Sequence, residues 1–123
     1  MINTDEFTVR LEAGTAVIDL QGEINVASEA MLNQAYDRAE KSNPTQIVLN
    51  FQKVVYMNST GIALIVGLLA RARKNHRKLA VYGLSEHYQE IFRITRLSDF
   101  MQLYDDEHAA LAGQSTQPKW EAR

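Results

Sequence analysis

Apolar and polar positions alternate at the start of the chain. Phe7, Val9 and Leu11 interleave with Thr8 and Arg10, the period-two pattern of a half-buried strand. A turn around Ala13, Gly14 and Thr15 leads into a second extended run over residues 16–20, so the two runs read as an amino-terminal hairpin. The period then lengthens. Across residues 28–41, Leu32, Ala35, Tyr36 and Ala39 recur at helical spacing, with Asn25 or Ser28 placed to cap the start and Pro44 to stop the pattern.

Ile47, Val48 and Leu49 are consecutive, the signature of a strand covered on both faces, as parallel strands in α/β domains are. The spacing predicts a helix over residues 60–75 and a short strand over 79–82. A further helix capped by Ser85 follows, with Tyr88, Ile91 and Phe92 facing inward. A weak extended piece over residues 101–104 precedes Asp105, Asp106 and Glu107, acids suited to the first turn of a last helix ending near Ala112. Strands alternating with helices after a hairpin imply an α/β sandwich with a mixed sheet and about four helices. A length of 123 residues fits one domain. Residues 1–112 are expected to form it, and residues 113–123 (GQSTQPKWEAR), which lack period and apolar content, a flexible tail in which Trp120 has no assigned role.

Composition narrows the function. Hydrophobic residues make up 46% and charged residues 23%, a globular balance. The net charge of -2 gives no general attraction to nucleic acid or anionic membrane. The absence of cysteine removes disulfides, thiolate metal sites and cysteine nucleophiles. No secretory signal or bilayer-length apolar stretch is visible, so a cytoplasmic protein without membrane insertion is expected. His76, His87 and His108 are too far apart for a local metal motif, and no glycine-rich phosphate loop with a lysine accompanies Gly61 or Gly67. No metal and no cofactor is therefore expected. The basic run Arg71, Arg73, Lys74, His76, Arg77 and Lys78 reads as a solvated helix end rather than a nucleic-acid patch. Asp19, Glu23 and Asp37 are not placed at a shared site, and Ser59 lacks a Gly-x-Ser-x-Gly context, so acid/base and serine-hydrolase chemistry have no support.

The informative stretch is VVYMNSTGIALIVGLL, residues 54–69, where a strand enters a helix through Asn58, Ser59, Thr60 and Gly61. A helix start exposes unpaired N–H groups and a partial positive charge, which suits a capping side chain and also an anion. On a helical projection Ile62, Val66 and Leu69 share one face with Ile65 beside them, while Leu64 lies opposite Ile62 and Leu68 well to the side. Two readings follow: a wholly buried helix, or one whose outer face receives another protein.

The segment YMNSTGIALIVGLLARAR resembles the signature of the STAS domain family, known from bacterial anti-sigma factor antagonists, in which an Asp-Ser-Ser/Thr-Gly loop opens a helix. LQGEIN, IVLNFQKVVYM and LSEHYQEIFRITRLSDFMQLYDDEHAAL resemble further parts of the pattern, so the likeness covers about residues 7–111. Asn58 and Asn25 stand where the family has Asp, and Arg96 where it commonly has Gly.

The resemblance implies a STAS-type fold and a non-enzymatic switch. Ser59 would be phosphorylated by a serine kinase that is also the anti-sigma factor, and a PP2C-type phosphatase would reverse it. Glu23, Ile24, Asn25, Met57, Asn58, Thr60, Gly61, Leu64 and Leu68 would form the partner surface of a monomer or weak homodimer. The alternative within the same family is a scaffolding module of a sensory complex or a membrane transporter, in which the serine is not phosphorylated.

Overall fold

Residues 7–113 are described by the structure, a computed structural model. The hairpin forms as expected: β1 (Thr8–Glu12) and β2 (Thr15–Ile24) are antiparallel neighbours in register from Thr8 opposite Asp19 to Glu12 opposite Thr15. Three strands then join in parallel, β3 (Gln46–Met57), β4 (Lys78–Tyr82) and β5 (Gln102–Tyr104), giving the order β1-β2-β3-β4-β5. The helices α1 (Glu29–Lys41), α2 (Ser59–Lys74) and α3 (Glu86–Ile94) make the crossovers. Crossovers of one hand between strands laid down in sequence put all three helices on one face of the sheet. The last helix, α4 (Glu107–Gly113), packs on the opposite face.

The consecutive apolar residues of β3 divide between these layers. Ile47 and Leu49 join the large core under α1, α2 and α3, with Ala16, Ile18, Leu79 and Val81 beside them. Val48 points the other way, with Val17, Ala80, Tyr82 and Ala110. Ile91 is only half-buried, whereas Tyr88 and Phe92 are core residues. The expected tail lies outside the described residues except for Gly113, which closes α4.

Beyond the reach of α4, the second face is polar. Asp19, Asn50 and Tyr82 occupy successive strands at paired register positions. Arg10 joins them to the last helix: its Nε donates to Asp19 at 2.6 Å and its Nη2 to Glu107 at 2.8 Å. The Tyr82 hydroxyl donates to Glu107 at 2.7 Å, and the Asn50 amide to Asp19 at 2.7 Å. Burial pushes the Asp19 carboxyl up, but hydrogen bonds from Arg10 and Asn50 outweigh it and hold the pKa below its ordinary value. Glu107 is lowered by its bonds from Arg10 and Tyr82.

One feature of the sheet positions the candidate site. Strand β4 accompanies β3 only from Gln46 to Asn50, whereas β2 follows it as far as Met57, with register shifts between Asp19 and Gln21 and between Gly22 and Glu23. The ends of β2 and β3 therefore run on as a two-stranded ribbon past the rest of the sheet. This ribbon delivers the loops at residues 25 and 58 side by side.

Candidate functional site

Each loop is fixed by its own polar side chains. Asn58 caps α2, its Oδ1 accepting from the Gly61 N–H at 2.8 Å. Asn25 caps a short 3-10 turn, Val26–Ser28, by accepting from the Ala27 N–H at 2.9 Å. Ser28 stands at the start of α1 without a side-chain capping bond to it. Its hydroxyl instead accepts from the Asn25 N–H at 3.0 Å and donates to the Glu23 carbonyl at 3.1 Å.

The loops are then joined to each other. The Asn58 N–H donates to the Ile24 carbonyl at 3.3 Å. Gly61 sits so close to this carbonyl that a side chain there would overlap it. From α3, the Tyr88 hydroxyl accepts from the Met57 N–H at 2.8 Å and donates to the Met57 carbonyl at 3.1 Å. Tyr88 is thus a support of the loop that its inward helical position alone did not reveal.

Ser59 is the first residue of α2 and is exposed, as is Thr60. The Ser59 hydroxyl has no hydrogen-bond partner among the described residues. Asn58 takes the N–H of Gly61, and the Asn58 carbonyl takes that of Ile62 at 3.0 Å, so the N–H groups of Ser59 and Thr60 lie in the helix start's uncapped part. Glu23 is exposed, and Asn25 and Asn58 are half-buried.

Several residues expected on the partner surface lie inside instead. Ile24 and Met57 belong to the main core, and Gly61 is buried by its approach to Ile24. They shape the loop from beneath and present no side chain to a partner. Leu68 is corrected in the same way: at 1% exposure it packs into the core. The reason is the rotation of α2. Gly61 is the point of closest approach, and residues one, two and three turns further along its meridian, Ile65, Leu68 and Ala72, are buried with it. Val66, on the projected face of Ile62 and Leu69, is 43% exposed, and Leu64 is half-buried. The outer face of α2 is therefore open, which decides against a wholly buried helix.

Three exposed apolar residues surround the loop: Val26 at 68%, Val55 at 75% and Tyr56 at 54%. Tyr56 pairs with Glu23 across the ribbon. Val26 and Val55 escaped the sequence reading, because an apolar residue beside a strand end or a cap is ordinarily core. A shallow depression of about 390 Å³ lies at the Asn25 loop, lined by residues that include Phe7, Glu23, Asn25 and Met31. Among the described residues no cluster of metal-ligating side chains exists, and no helix is long and apolar enough to cross a membrane.

The mixed five-stranded sheet and the capped serine-threonine loop opening α2 agree with the STAS resemblance of the sequence. Residues 6–110 match the family model described as the STAS domain, and the chain belongs to that family. Among its relatives, the anti-sigma-B factor antagonist of Staphylococcus aureus (strain NCTC 8325 / PS 47) is 30% identical over 86 residues, 70% of this chain and 80% of the relative. A putative anti-sigma factor antagonist from Thermotoga maritima has a similar fold, with a TM-score of 0.79 at 16% identity, covering 89% of this chain and 95% of that one. The phosphorylated form of the Bacillus cell fate determinant SpoIIAA is similar with a TM-score of 0.66 at 21% identity, covering 86% and 97%.

Proposed function

We propose that this chain is an anti-sigma factor antagonist whose binding is switched by phosphorylation of Ser59. Its partner is an anti-sigma factor acting as a serine kinase, and a PP2C-type phosphatase returns it to the binding form. It acts by association and not by catalysis, from the cytoplasm. The observation that carries this reading is the exposed Ser59 on the first turn of α2, in a chain whose neighbouring loop and ribbon residues Val26, Val55 and Tyr56 are exposed apolar side chains. The names of the staphylococcal relative and of the phosphorylated SpoIIAA structure support it.

The geometry supports a switch in this direction. A phosphoryl group adds roughly 1.5 to 2 negative charges at neutral pH. Within the domain this charge meets a helix start, where N–H groups and the macrodipole favour an anion. Asn58 helps, since a neutral cap adds no repulsion that an aspartate there would add. Against a docked partner the same dianion must be desolvated at the contact surface. A tenfold loss of affinity requires only about 1.4 kcal/mol, which one misplaced charge supplies without refolding the domain.

Incubation with the purified anti-sigma factor kinase of the same genome and ATP, followed by peptide mapping, tests the assignment. Phosphate is expected on Ser59, with labelling abolished in Ser59→Ala and retained in Thr60→Ala. Labelling that persists in Ser59→Ala, or none in the wild type, refutes it.

A further inference from the structure

The outward meridian of α2 passes from Ser59 through Ala63, Val66 and Ala70 to Arg73, in steps of three and four residues, and all five are exposed. Towards the carboxy-terminal end this face becomes one wall of a groove of about 300 Å³. The other wall is formed by Thr95, Arg96, Leu97 and Phe100. Phe100 is 53% exposed, so the groove offers an accessible aromatic face and a largely apolar floor.

Its charged residues are two arginines. The Arg73 guanidinium lies over the Phe100 ring, 5.2 Å from the centroid, and makes no ion pair among the described residues. Arg96 pairs with Asp99 at 2.5 Å and holds φ at 69°. That is the left-handed region, where glycine is unstrained and arginine is not. An arginine here sets a cation at the lip of an apolar groove against local backbone preference.

We propose that this groove is a second docking point for the anti-sigma factor, receiving one apolar side chain from a partner segment whose neighbouring residues are acidic. The inference rests on the switch reading above and extends it along α2. Two features support this occupant. The groove continues the helix face that begins at Ser59, about 10 to 21 Å further along at 1.5 Å per residue, within the span of one ordinary interface of about 800 Å² per partner. Its unpaired guanidinium and exposed aromatic ring are the residue types that anchor interfaces, and their charge calls for carboxylates opposite. At that distance a phosphate on Ser59 is separated from the groove by more than a Debye length, about 8 Å, at physiological salt. Phosphorylation then breaks the contact at one end of α2 and leaves the other intact.

The test compares wild type, Ser59→Asp, Arg96→Gly and Ala70→Glu for binding to the purified anti-sigma factor kinase of the same genome, with melting temperatures measured in parallel. Arg96→Gly relieves the backbone strain, so it should melt no lower than wild type and yet bind about three- to tenfold more weakly at low salt, the gap closing as salt rises. Ala70→Glu places an acid on an exposed helix position and should weaken binding about tenfold or more with its melting temperature unchanged. Wild-type affinity in both groove variants, with Ser59→Asp weakened, overturns the groove and leaves the switch standing. Weak groove variants with an unimpaired Ser59→Asp overturn the switch and leave the groove. No binding by the wild type overturns both, and a wild-type dimer lost in the groove variants without any partner assigns the groove to a second copy and overturns this proposal.

Discussion

The same substitution at two glycines of α2 should change stability in opposite directions. A methyl carbon built at Gly61 overlaps the Ile24 carbonyl oxygen and lies 2.8 Å from both the carbonyl carbon and Met57 Cγ. Carbon atoms in good contact stand about 3.5 to 4.0 Å apart, so the start of α2 must retreat by roughly 1 Å. The obstacle is backbone and cannot rotate aside. Retreat stretches the Asn58 to Ile24 hydrogen bond, already at 3.3 Å. Overpacking of this kind destabilises by about 1 to 3 kcal/mol, partly offset by up to about 1 kcal/mol from alanine's better helix propensity. At Gly67 nothing lies within 4 Å of the same methyl, so only the propensity and unfolded-state gains remain, about 0.4 to 1 kcal/mol of stabilisation.

Urea unfolding followed by far-ultraviolet circular dichroism resolves the two. Gly61→Ala should lower the midpoint and Gly67→Ala should raise it, with equal slopes. Gly61→Ala as stable as Gly67→Ala would refute the close docking of α2 on the Ile24 loop, and with it the positioning of Ser59.

Two further outcomes follow from packing and charge. Leu68→Ala should cost about 2 to 5 kcal/mol, as buried leucines do, whereas Val66→Ala on the open face should cost well under that; comparable losses in urea titrations would contradict the rotation of α2. Asp19 and Glu107 hold depressed pKa values in the fold, relative to an unfolded carboxylate near about 4. Their ion pairs with Arg10 therefore stabilise fully above that range and lose effect as pH falls through the lower, folded values. The stability gap between wild type and Arg10→Met should shrink from neutral pH to about pH 3, and a gap independent of pH would speak against the clamp.

Much of the fold was legible because local chemistry marked its joints. Asn58 and Ser85 cap their helices, Pro44 ends the α1 pattern, and Ile47 to Leu49 in unbroken series required a covered strand. The orientation of α2 was not legible. With leucine, isoleucine or valine on nearly every meridian of its first turns, hydrophobic periodicity cannot choose a face. The clue was Gly61, since the residue without a side chain takes the tightest approach and turns Leu68 inward with it.

The length of β3 was hidden for a different reason. Past Asn50 the strand leaves β4 and continues only against β2, so its apolar residues no longer divide between two covered faces. Val55 and Tyr56 are then exposed, and an apolar pair that looks like core is surface. Asn25 and Ser28 were both legible as candidate caps of the first helix, but the 3-10 turn between Asn25 and α1 depends on the pairing of Ser28 with the Glu23 carbonyl, which strand and loop must meet to make.

The affinity of the anti-sigma factor for this chain with and without phosphate on Ser59 addresses the proposed switch most directly. Stoichiometrically phosphorylated and untreated protein, titrated calorimetrically against the same partner, should differ at least about tenfold, the phosphorylated form binding more weakly. Equal affinities, with mapping to show that the phosphate is on Ser59, would contradict the account.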